Sequence, residues 1–176
     1  MNAAWGGLRL AVGTLTMIPV GHIPPPTRRV GAWSMALAPV AALPLGVLVA
    51  ATCLLGRWLA LPALVTASLS IGALALATRA LHLDGLADTA DGIGAGWDRE
   101  RALRVLRTGD VGPMGVAAVL VVVLVQIAAV AALQELARGW LIVGAAVVAS
   151  RVAATLGCLR GLGAMAADIG ETLTIA

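Results

Sequence analysis

Three aspartates, Asp84, Asp88 and Asp91, lie within eight consecutive positions of the stretch HLDGLADTADG, residues 82–92. At about 100° per residue a helix sets them at bearings of roughly 0°, 40° and −20°, all on one face. Carboxylates stacked in this way repel one another unless a cation lies between them. Hard oxygen donors suit Mg2+, which takes one or two carboxylates and leaves its other positions to water and phosphate. A metal held there can clamp a diphosphate and neutralise charge during phosphoryl transfer. Asp84, Asp88 and Asp91 are therefore read as metal ligands. The bland alternative is a solvated acidic connection between two helices. A calcium loop of the EF-hand type fails, because the third and fifth positions counted from Asp88 are Ala90 and Gly92.

Other residues flank this cluster. His82 points away from the aspartates on the same helical wheel, so an interfacial position suits it better than general-base work. Arg79 also faces away, and snorkels. The stretch 107–115, RTGDVGPMG, brings Arg107 and three glycines to the start of an apolar run. Its backbone N–H groups could face a phosphate at a helix N-terminus, and a plain turn into Pro113 explains it equally well. Arg151 falls inside another apolar run. A charge at that depth costs a few kcal/mol and faces a partner or cavity, such as a substrate phosphate, or else snorkels to the helix end.

The elements that must position these residues are helices in a bilayer. The chain is 60% hydrophobic and only 12% charged, with no Tyr or Phe, well beyond the roughly 45–50% apolar content of soluble domains. We expect an all-α, polytopic integral membrane protein with about four spanning helices: Val30–Leu55, kinked at Pro39 and Pro44; Leu59–Ala80; Pro113–Gln134; and Gly139–Leu159. Residues 8–20 resemble a signal peptide, but Arg9 interrupts the apolar stretch and no small-x-small site precedes Pro19. An uncleaved interfacial or re-entrant segment is expected instead. Residues 1–176 form a single membrane domain, with a metal-site loop over about 81–112.

All twelve basic residues are arginine. Alternating the loops places ten of them on one side and only Arg57 and Arg138 on the other. That bias assigns the ten, and the aspartate loop, to the cytoplasm. The net charge of +3 does not signal nucleic acid, because the arginines are scattered and no aromatic-rich basic stripe exists. Cys53 and Cys158 have no metal-ligand spacing and read as packing residues.

HLDGLADTADG, directly after an apolar span, closely resembles the signature of the adenosylcobinamide-GDP ribazoletransferases, the membrane cobalamin synthases. TLTMIPV near the N-terminus, WDRERALRVLRTGDVGPMGV after the aspartates, and ASR at 149–151 resemble further family segments. The resemblance runs from about Leu10 to Arg160. It implies a multi-pass protein of the bacterial inner (cytoplasmic) membrane, embedded in the lipid bilayer, with its site facing the cytoplasm. The implied reaction joins α-ribazole or its 5′-phosphate to adenosylcobinamide-GDP, with release of GMP and with Mg2+ as cofactor. By position, Asp84, Asp88 and Asp91 hold metal, Asp84 and Asp88 are catalytic, and Arg107 and Arg151 contact phosphate. The implication allows a homo-oligomer and involves no nucleic acid.

Two departures stand out. Thr108 occupies a position where the family has an aspartate, and the tail 161–176 does not match the family pattern, so a shortened and inactive synthase is one expectation. A CDP-alcohol phosphatidyltransferase also places spaced aspartates at a membrane helix end, but the glycine and arginine it carries between them are missing here. An intramembrane prenyltransferase lacks its adjacent aspartate pairs. A transporter or scaffold would need ionisable residues at mid-span in several helices, and only Arg151 answers that description.

Overall fold

The computed structural model describes residues 2–94, 110–153 and 155–156, and all regular structure among them is helical. These residues form two compact units. One takes the chain through Gly46 together with the residues from Ala145 onward; the other is Val47–Gly144.

The first unit begins with α1, Ala3–Leu15, whose N-terminus is capped by the Asn2 side chain accepting from the Ala4 N–H at 3.2 Å. At about 20 Å, α1 is too short to cross a bilayer. Gly21, at φ +70°, turns the following segment back along the helix. Arg9 then donates from Nη2 to the carbonyls of Val20 (2.6 Å) and His22 (3.2 Å). The charge inside the apolar stretch thus satisfies loop carbonyls that would otherwise be stranded.

Helix α2, Arg28–Ala36, starts on a Thr27 cap and packs across α1. The crossing is tight at Gly7. A Cβ there would lie 2.5 Å from Trp33 Cβ and 2.8 Å from the Trp33 carbonyl carbon. Gly7→Val should push the two helices apart, lowering stability by about 3 kcal/mol. A detergent-solubilised variant should therefore show a lower thermal midpoint, and an unchanged midpoint would refute the close crossing.

The expected first span, Val30–Leu55, is not one kinked helix. It breaks at Leu37, after α2; beyond that, α3 (Ala38–Ala41) and α4 (Leu43–Trp58) run on through Ala42 as one 21-residue apolar helix that carries both prolines. Each proline lies in the first turn of the segment it opens, where a missing N–H is tolerated. Pro39 cannot donate to the Met35 carbonyl four residues back. Thr155 Oγ1 donates to it instead, at 2.8 Å, while lying 2.9 Å from its own i−4 carbonyl, that of Arg151. The carbonyl at the break is thus met by a side chain 120 residues away.

In the second unit, α4 closes with a Schellman arrangement: Leu61 N–H bonds the Gly56 carbonyl and Ala60 N–H the Arg57 carbonyl, with Ala60 at φ 53°. Gly56 lies where a Cβ would collide with the Thr66 side chain of α5, Ala63–Ala77. Below that contact, buried Cys53 packs with its Sγ 3.3 Å from Ser70 Oγ, a packing role as the sequence suggests. Cys158 lies outside the described residues. Arg57 does more than mark a side of the membrane. Its Nη1 donates to the carbonyls of Gln134 (2.7 Å) and Leu136 (3.2 Å), capping the C-terminus of α7, Pro113–Gln134.

Helix α5 does not run to Ala80 as a span of its own. It has 15 residues, about 22 Å, against a hydrocarbon core of about 30 Å. At Thr78 the chain turns through 88° into α6, Leu81–Gly94. The corner is a second Schellman arrangement, with Ala80 N–H on the Ala75 carbonyl and Arg79 N–H on the Leu76 carbonyl. Arg79 and Ala80 both adopt left-handed backbone, at φ 55°. The first fourteen residues of the expected loop are therefore helix.

Two helices among the described residues are long and apolar enough to cross a bilayer, Ala38–Trp58 and Pro113–Gln134, and the bent α5–α6 pair makes a third if counted as one span. The remaining apolar helix, α8, is described over Gly139–Ala153. That count is of the described residues alone: α5 is short by itself, and the expected fourth span, Gly139–Leu159, is described as helix to Ala153 and again at 155–156. Even so, α7 exposes Leu120, Val121, Leu124 and Val125 in one run, a surface suited to lipid rather than water. The protein is a polytopic membrane protein.

Candidate active site

Helix α6 passes through Asp84, Asp88 and Asp91 without interruption, so the three carboxylates do share one helical face. Their surroundings differ along that face. Asp84 is exposed in the first turn, where a negative charge complements the helix dipole. Asp88 is half-buried. Asp91 is only 8% exposed, because α7 packs over this end of α6.

The Asp91 carboxylate is engaged with that neighbour. Oδ2 accepts from the Gly112 N–H at 2.7 Å, and Oδ1 accepts from the Gly115 N–H at 2.8 Å. Gly112 is the N-cap of α7, Pro113 follows at N1, and Gly115 is N3. A capping box normally satisfies these two donors with two side chains of the same helix. Here one carboxylate from another helix does both. Charge-assisted bonds of this kind are the stronger ones, at about 1.5–3 kcal/mol each.

The glycines are required by this approach. A Cβ on Gly112 would lie 2.5 Å from Asp91 Oδ1, and one on Gly115 would collide with Asp91 Oδ2 and lie 2.9 Å from the Ala87 carbonyl oxygen. The spacing in GDVGPMG could reveal that N–H groups are presented to an anion. It could not reveal that the anion is the protein's own.

Among the described residues, no three of His, Cys, Asp and Glu come together as a metal-holding group. The donor set on α6 nevertheless fits Mg2+: Asp84, exposed, and Asp88, half-buried, stand one helical turn apart, and one or two carboxylates are what this ion takes. Asp110 is exposed, just before the α7 N-terminus, and His82 is exposed on α6. Arg107 lies outside the described residues. Arg151, in the other unit, is 8% exposed on α8, and its Nε has no hydrogen-bond partner.

Comparison with known proteins settles the lineage. The profile of the cobalamin-5-phosphate synthases matches residues 7–175. The chain belongs to the cobalamin-5-phosphate synthase family. The match extends past Arg160, where the motif resemblance stops. Among curated relatives, an adenosylcobinamide-GDP ribazoletransferase of a Nocardioides species is 52% identical over 112 residues, covering 62% of this chain and 46% of the relative. The protein of that name from Frankia casuarinae is 39% identical over 181 residues, covering 93% of this chain and 65% of the relative. That from Alkalilimnicola ehrlichii is 41% identical over 109 residues, 61% of this chain and 42% of the relative. The chain thus spans about half the length of the curated relatives it matches. No solved structure matches it.

Proposed function

We propose that this synthase-family chain carries the acidic site of an adenosylcobinamide-GDP ribazoletransferase. In that reaction a ribose hydroxyl of α-ribazole, or of its 5′-phosphate, attacks the phosphorus attached to cobinamide. A new P–O bond forms, the P–O bond to the guanylyl phosphate breaks, and GMP leaves with the electron pair. The observation that carries this reading is the family match over 7–175, taken with two aspartates one turn apart on α6, Asp84 exposed and Asp88 half-buried.

Asp84 and Asp88 are the residues that would hold Mg2+. When bound, the ion supplies charge neutralisation on the diphosphate. One of the two carboxylates takes the proton of the attacking hydroxyl, as general bases do when they lie within reach of the reacting oxygen. The family resemblance makes Arg107 and Arg151 candidates for phosphate contact; at Arg151 a buried guanidinium with an open Nε favours an anion. The test is GMP release from adenosylcobinamide-GDP in membranes carrying the chain, with and without α-ribazole and Mg2+. Release that ignores both additions would defeat the proposal.

The ten-to-two arginine bias supports a bacterial inner-membrane setting with α6 at the cytoplasmic face. If α5 stands along the bilayer normal, the 88° corner lays α6 in the plane of the interface. Ile93 is among the most exposed residues of α6. In an Ile93→Cys variant a membrane-impermeant thiol reagent should label inverted vesicles and not intact cells. The opposite pattern would reverse the topology.

A further inference from the structure

The sequence gives three equivalent aspartates; their surroundings divide them. Asp91 is the one whose two oxygens are both occupied by backbone donors, at the N-terminus of a 22-residue helix. It is also the one whose space is prepared on the partner side. Gly112 and Gly115 are the residues whose added Cβ would fall on its oxygens, and Gly94, at the end of α6, meets Met114 of the same turn of α7 in a similarly close approach. Metal ligation would require this buried carboxylate to leave two donors, which would then be unsatisfied in a tightly packed junction.

We infer that Asp91 is a positioning residue and not a metal ligand: its carboxylate pins the N-terminus of α7 to α6 and so fixes the rotation and tilt of the α6 face that carries Asp84 and Asp88. The assignment takes the role of Asp84 and Asp88 from the proposed function. The pinning itself stands on the geometry alone.

Two readouts on the detergent-solubilised full chain separate these ideas: Mn2+ binding followed by electron paramagnetic resonance, and amide hydrogen exchange over residues 112–116. Asp91→Asn replaces one acceptor by an NH2 group that opposes a backbone N–H. Gly115→Ala keeps the Asp91 charge but places a methyl on Oδ2. Both variants should speed exchange over 112–116 by about tenfold or more, as expected for the loss of one charge-assisted bond. Both should leave Mn2+ affinity within about threefold, whereas Asp84→Asn and Asp88→Asn should weaken it by about tenfold or more and leave exchange unchanged.

Mn2+ affinity lost in Asp91→Asn as in Asp84→Asn would overturn the inference, as would unchanged exchange in Asp91→Asn. Loss of protection across α5 as well would replace positioning by a general structural role. If the parent chain binds no Mn2+, the metal reading of the proposed function fails, and the exchange result alone decides Asp91.

Discussion

Replacing Asp84 with alanine will reduce Mg2+-dependent GMP release by about 10³-fold, the scale seen when an electrostatic stabiliser of a transition state is deleted. The size of the effect follows from division of labour on α6. With Asp91 engaged by α7, Asp84 and Asp88 are the aspartates of α6 left to hold a hard cation, and removing one leaves that helix a single free carboxylate. The same substitution should hardly change the amount of folded protein. Asp84 is exposed, and its contribution to the α6 dipole is worth only about 0.3–1 kcal/mol. The measurement is GMP formed per unit of chain in membranes, with quantified protein. Equal turnover in the variant and the parent would remove Asp84 from the site.

The second large effect has an unusual sign. Arg151→Met should lower the rate by about 10²-fold while leaving the protein as stable as before or more so. Methionine fills much of the same volume along α8 without burying a charge. In the parent chain the guanidinium is buried with its Nε lacking a partner, which costs stability. Thermal unfolding in detergent and GMP release on the same preparation give both halves of the result. A variant that unfolds earlier and turns over normally would show that Arg151 serves packing alone.

Several of these features were legible from residue order. Pro113–Gln134 is an uncharged apolar run bounded by Gly112 and Pro113 on one side and Glu135 on the other, and its helix has the expected limits. The one-face arrangement of Asp84, Asp88 and Asp91 was also legible, since it needs only helical periodicity, and α6 is continuous through both Gly85 and Gly92. What periodicity cannot express is that one helical face meets different surroundings along its length. Asp91 differs from Asp84 only because α7 begins beside it.

The corner at Thr78–Ala80 was hidden for a related reason. It contains neither glycine nor proline, and places Arg79 and Ala80 in backbone that L-residues avoid at a cost of about 1–2 kcal/mol each. The break at Leu37 also has a nonlocal contact that residue order hides: the Met35 carbonyl, which Pro39 cannot reach, accepts from Thr155. Arg57 illustrates the limit of charge counting: it was counted for topology, and the structure uses it to close α7.

The right-angle corner and the Asp91 clamp together make α6 a beam supported at both ends. From Ala80, Asp84 lies about 6 Å along the helix and Asp91 about 16 Å. Were only the corner fixed, a tilt of roughly 10° would carry Asp84 by about 1 Å and the far end by about 3 Å, and errors near 1 Å already cost about 10²-fold in positioned chemistry. Support at the far end removes that leverage. It holds the carboxylates between the two supports to the tolerance of a hydrogen bond.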